Sequence, residues 1–175
     1  MILKTRLFGH VYEFKSIREV MAKANEEKSG DKLAGIAAET AEERVAAKVV
    51  LSNLTMNEVR NCPAVPYEED DVTRIIQDDL NETIFNEFKN KTVAEFREWL
   101  LSEKTTGDMI KRASRGLTSE CVAAVCKLMS NLDLVYAAKK IRVSAHCNTT
   151  IGLPGTFSAR LQPNHTTDDP KGIVA

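Results

Sequence analysis

The sequence predicts a mainly α-helical fold, opened by a β-hairpin and followed by the first strand of a different architecture. Three observations predict it. Ser or Thr stands three residues before Glu at Ser16 and Glu19, Thr40 and Glu43, Thr55 and Glu58, and Thr92 and Glu95. Each pair fits a capping box, in which hydroxyl and carboxylate satisfy orphan backbone donors at a helix start. Apolar residues then recur at helical spacing through the middle of the chain. From Thr156 to Gln162 the pattern changes to strict alternation, the period of a strand. Phe157, Ala159 and Leu161 share one face; Thr156, Ser158, Arg160 and Gln162 share the other.

Taken in order, Leu3 to Phe14 reads as a hairpin turning at Gly9-His10, since Gly in the first central position suits a type II′ turn. Helices follow from the capping boxes, and Pro63 and Pro66 break the chain. One long helix is expected from Val72 to Phe88, striped by Val72, Ile75, Ile76, Leu80, Ile84 and Phe88. Its Arg74 and Asp78 are spaced for an ion pair one turn apart. A shorter helix after Thr92 points Val93, Phe96 and Leu100 inward, and Glu87 and Lys91 fall on an exposed face. Gly116 reads as a helix C-cap.

Thr118 then caps a helix that is apolar nearly all round from Val122 to Met129, with Leu117 and Val122 placed as a hydrophobic staple. Such a helix is expected to be buried on every side, carrying Cys121 and Cys126 as small core residues. Asp133 caps the next helix, which ends in Lys139 and Lys140, the charge a helix C-terminus favours. After the alternating strand, Asp168 and Asp169 suit an N-cap, Pro170 a first helical turn, and Ile173 and Val174 the start of an apolar face. A strand leading into a helix opens a βα unit, here cut off at Ala175. The expected division is a hairpin-plus-helical domain over 1–145 and the start of a second domain over 146–175.

With 175 residues, 43% of them hydrophobic, the chain can bury one ordinary core. A net charge of -1, from 24 basic and 25 acidic residues, is no electrostatic footprint for nucleic acid. No apolar run approaches the roughly 20 residues of a membrane span, and the N-terminus has no secretory pattern. Cys62, Cys121, Cys126 and Cys147 form no CxxC pair and read as reduced thiols of a cytosolic protein.

Few residues carry chemistry. Asp78, Asp79 and Glu82 read as a solvated or interface face rather than a cation site, having no His or further carboxylate near them. His146-Cys147 supplies two ligand types where a metal needs three or four, so no metal site is expected. His10 and His165 read as exposed. Gly152-Leu153-Pro154-Gly155 lacks the lysine and spacing of a phosphate loop and reads as a turn. Arg160 and Gln162 differ. On spacing alone their face is either a solvent-facing edge or the inside of a covered sheet. In a covered sheet, an Arg at a strand's C-terminal end must meet a carboxylate, a ligand or water, where barrels and open α/β sheets place their sites.

The run Asn148 to Asn164, Asn-Thr-Thr-Ile-Gly-Leu-Pro-Gly-Thr-Phe-Ser-Ala-Arg-Leu-Gln-Pro-Asn, resembles the large (heavy) subunit of ethanolamine ammonia-lyase. So do Val72 to Asp79 with Asn81-Glu82-Thr83, Gly116 to Glu120, Ser29-Gly30-Asp31 with Leu33-Ala34-Gly35, and Glu43 to Lys48. The resemblance covers nearly the whole chain. It implies a TIM (β/α)8 barrel preceded by a helical region with a hairpin, here truncated after the first barrel strand. It implies adenosylcobalamin as cofactor, bound mainly by the small subunit and by parts absent here, with ethanolamine as substrate. The implied reaction is radical rearrangement to acetaldehyde and ammonia. Implied partners are the small subunit and other large subunits, with no nucleic acid and no membrane, in the cytoplasm or a bacterial microcompartment. In the family the Arg and Gln of Ser-Ala-Arg-Leu-Gln-Pro contact the amino alcohol, which carries substrate binding onto Arg160 and Gln162. The expected function is that of a fragment inactive alone; the alternative is a non-enzymatic helical assembly module.

Overall fold

The computed structural model describes residues 2–26, 37–141, 143–144 and 150–151. Strand β1 (Leu3–Leu7) pairs antiparallel with β2 (His10–Phe14), placing Leu3 opposite Phe14 and Leu7 opposite His10. Leu3, Leu7, Tyr12 and Phe14 share the face that packs on the core. The turn is Phe8-Gly9 rather than Gly9-His10. Both residues have left-handed φ, 51° and 81°, which makes it the type I′ geometry that matches strand twist. His10, though exposed, already belongs to the strand.

Helices α1 (Ile17–Lys23), α2 (Ala41–Asn53) and α3 (Met56–Arg60) start where the caps predict. Ser16, Thr40 and Thr55 each accept a hydrogen bond from the backbone N–H of the Glu three residues on. Thr55 completes a reciprocal box; Glu19 and Glu43 instead reach one residue further back, to the N–H of Lys15 and Glu39.

The expected helix from Val72 to Phe88 is two helices, α4 (Asp71–Asp78) and α5 (Glu82–Phe88). Asn81 breaks it: its side chain accepts from the Ile84 N–H, and its own N–H donates to the Arg115 carbonyl at 2.9 Å. A short polar side chain thus offers the backbone an alternative to helix continuation. The break separates Ile84 and Phe88, which are buried, from Val72, Ile75, Ile76 and Leu80, which are only half-buried.

Helix α6 (Val93–Leu101) starts from a full capping box at Thr92, buries Val93 and Phe96 and leaves Leu100 half-buried. Helix α7 (Gly107–Ser114) ends at Arg115, so Gly116 lies one residue beyond the cap, and its φ is not left-handed. Close approach explains it instead: a Cβ there would lie 2.7 Å from the Phe85 nitrogen and 2.8 Å from Ile84 Cγ2. Thr118 caps α8 (Ser119–Lys127) as expected, but only Cys121, Ala124 and Val125 within it are buried. Val122 is 48% exposed, and Cys126 is exposed too. The cap of α9 (Asn131–Lys140) is Ser130; Asp133 is the box's third residue, returning a bond to the Ser130 N–H.

The core sits where α1, β1 and α6 pack on α2 and where α3 and α6 pack on α8. Phe14, Leu51, Met56 and Phe85 are its largest fully buried side chains, each worth about 1.5–3 kcal/mol relative to exposure. Phe88, Phe96 and Trp99 form an aromatic triangle with centroids 5.3, 5.1 and 5.0 Å apart. Lys140 ties the end of α9 to the end of α6 by donating to the carbonyls of Leu100 at 3.2 Å and Ser102 at 2.6 Å. Beyond Ile141 the backbone turns to strand, β3 (Val143–Ser144) pairing antiparallel with β4 (Thr150–Ile151). Among the described residues no helix is long and apolar enough to cross a membrane.

Candidate functional site

Among the described residues a groove of about 490 Å³ lies between α6, α7, α8 and α9. Of its four helices, α6 and α8 were legible from their caps at Thr92 and Thr118; the Thr106 cap of α7 was not read, and neither was the groove. Helix α6 contributes Phe96, Trp99 and Leu100, α7 contributes Ile110 and Ala113, and α9 contributes Leu134, Ala137 and Ala138. The side of α8 read as buried supplies Val122 and Cys126. The two staple residues, Leu117 and Val122, both line it. Lys111 and Arg115 stand at its rim, and no Asp or Glu lines it. This is the lining of a site for an apolar body, with too few polar groups for bond-making chemistry.

The acidic residues of α4 and α5 do not converge. Asp78 accepts from the Tyr67 hydroxyl at 3.0 Å, a bond that pushes the phenol's pKa up, and Arg74 pairs with Asp71 rather than Asp78. Glu82 accepts both nitrogens of Arg60, a hydrogen bond that holds its carboxyl below the usual range. Asp79 is the exposed C-cap of α4. Asp78 and Glu82 therefore answer different partners, which is the behaviour of ordinary surface pairs. Glu87 is exposed but held by both terminal nitrogens of Arg112, and Lys91 is half-buried.

Cys121 is fully buried, donates from Sγ to the Met56 carbonyl at 3.6 Å, and has its thiol pKa raised by burial. A thiol so placed is a packing residue, not a nucleophile. Among the described residues Cys62, Cys121 and Cys126 are free thiols, and no three His, Cys, Asp or Glu side chains are grouped to hold a metal. The readings placed on His146, Cys147, Gly152 to Gly155, Arg160, Gln162, His165 and the helix start at Asp168 lie outside the described residues.

Comparison with known proteins adds what the geometry alone does not. A family model described as "Ethanolamine ammonia lyase large subunit (EutB)" matches residues 12–175. Over all 175 residues the chain is 59% identical to the ethanolamine ammonia-lyase large subunits of Escherichia coli K12 and O157:H7. It is 58% identical over the same length to that of Salmonella typhimurium LT2. Each match takes in 100% of this chain and 39% of the relative.

Proposed function

The chain belongs to the ethanolamine ammonia-lyase large-subunit family, and from that premise we propose that it forms the N-terminal portion of a lyase subunit acting on ethanolamine. The whole subunit, with a small subunit and adenosylcobalamin, converts ethanolamine to acetaldehyde and ammonia, in the cytoplasm or a microcompartment. The observation that carries this reading is identity of 59% sustained across the full chain. Residues 1–145 serve as the helical scaffold, and 146–175 begin a TIM barrel.

The groove between α6, α7, α8 and α9 does not fit the cofactor: a corrin ring edged with amides needs polar partners, and this lining is apolar, with Lys111 and Arg115 at its rim. The radical chemistry belongs to adenosylcobalamin and not to a side chain of this chain. The proposed contribution of this chain is substrate binding through Arg160 and Gln162. The guanidinium donates to the substrate hydroxyl through a fixed fork. The Gln162 amide, on the same strand face, both donates and accepts, and so bridges hydroxyl and amine. One strand supplies too little of a constellation to turn over substrate alone.

The test is kinetics on the full-length subunit reconstituted with its small subunit and cofactor. Arg160→Lys keeps the charge but loses the fork, so turnover should fall steeply with melting unchanged. Leu161→Ala, on the opposite face, should lower melting instead. Unchanged turnover in Arg160→Lys, or acetaldehyde made by the 175-residue chain alone, would remove the proposal. The second reading, a non-enzymatic assembly module, draws on the open groove and predicts partner binding without any effect of Arg160.

A further inference from the structure

Among the described residues nothing covers the groove between α6, α7, α8 and α9, and we propose that it docks an amphipathic α-helix of a partner protein whose apolar stripe is flanked by carboxylates. The inference stands on the groove and does not depend on the lyase reading. Its floor includes Trp99, Val122, Leu134 and Ile141, of which Val122 and Leu134 are 48% and 40% exposed. Side chains of that kind, side by side, mark an interaction surface.

The walls dictate what can lie there. All four are helices, capped at their N-termini by Thr92, Thr106, Thr118 and Ser130. They offer no strand edge, so an occupant must satisfy its own backbone, as an α-helix does. Charge then selects among helices. Lys111 and Arg115 lie four residues apart along α7 and its cap, both exposed and both without an ion pair among the described residues. With no carboxylate in the lining, the rim is complementary to acidic residues one turn apart on the incoming helix.

Trp99 is the chain's one tryptophan, so its emission reports occupancy directly. Two synthetic tryptophan-free peptides with the same leucine stripe, one flanked by Glu and one by Lys, are titrated into the 175-residue chain. The Glu peptide should shift Trp99 emission to the blue, saturably, and bind about tenfold tighter than the Lys peptide at low salt, a gap that narrows as salt rises. Lys111→Glu with Arg115→Glu should reverse the preference, and Val122→Asp should weaken both peptides with helicity unchanged. Equal binding of the two peptides overturns the proposal. So does a silent Trp99, including the case where a second copy or residues 152–175 already fill the groove.

Discussion

Thr55 and Thr92 cap different helices and face one another across an isolated antiparallel bridge. Around them the Met56 N–H donates to the Lys91 carbonyl at 2.9 Å and the Val93 N–H to the Leu54 carbonyl at 2.8 Å. Two helix starts are thereby locked in one register, each also closing its own capping box. Replacing either Thr by Ala removes the hydroxyl acceptor but leaves the backbone bridge. Each change should cost about 1 kcal/mol, and Ser at the same position should recover most of it. Thermal melting of the four single variants checks this. A loss in Thr92→Ala that Thr92→Ser does not recover would place the effect in methyl packing rather than capping.

Arg60 gives the second prediction. Its guanidinium forks onto Glu82 at 2.9 and 2.5 Å, donates to Gln77 at 3.3 Å and lies 4.5 Å from the centre of the Phe85 ring. Glu82 is 59% exposed, so solvent screens the pair. The ion pair and the ring contact together are worth about 1–2 kcal/mol, the expected cost of Arg60→Ala. The hydrogen bond from Arg60 lowers the Glu82 pKa. As pH falls past the ordinary glutamate value of about 4.3, the unfolded chain takes up a proton while the folded chain still resists. Stability from the pair is thus whole above that value and is lost as pH drops through the lowered one. Asp70, bonded to Thr73, and Asp133, bonded to Arg97, shift the same way. Melting temperature should therefore fall in acid, and Glu82→Gln should make that fall shallower.

Gly116 gives the third. A methyl there would meet the Phe85 backbone nitrogen and Ile84 Cγ2, both in the core. Backbone cannot move aside as a flexible side chain can, so Gly116→Ala should cost about 1–3 kcal/mol through overpacking. Gly9→Ala is the contrast. It meets no neighbour but must hold a φ of +81°, so its loss is one of backbone strain, about 1 kcal/mol. Chemical denaturation of both variants separates the two causes. Insertion of a larger residue at 116 should deepen the loss, whereas Asn at 9 should relieve it.

The sequence disclosed what local chemistry decides. Helix starts were legible at Ser16, Thr40, Thr55, Thr92 and Thr118 because a cap is made by residues within one turn. What depends on distant neighbours was not. Val122 and Val125 look alike in sequence, yet one is 48% and the other 3% exposed, because no described element covers that side of α8. Gly116 was placed near a helix end, but the Phe85 backbone that requires it lies far off in sequence. Asp133 was read as the cap of α9, but Ser130 holds that place and Asp133 stands three residues on, closing the box. The substrate residues read from the strand, Arg160 and Gln162, rest on alternation and family resemblance.

Asn81 carries the last prediction, since the break between α4 and α5 falls beside it. In a continuous helix its N–H would donate to the carbonyl four residues back. Here that N–H goes to the Arg115 carbonyl, and the side chain instead caps Ile84 at 3.1 Å. Asn81→Ala removes the cap but not the backbone bond to Arg115. It should therefore cost about 1 kcal/mol without fusing the helices. The expected result is a lower melting temperature with unchanged far-ultraviolet circular dichroism. A rise in both helicity and melting temperature would show that Asn81 alone held the two helices apart, and that the bond to Arg115 follows from the break rather than enforcing it.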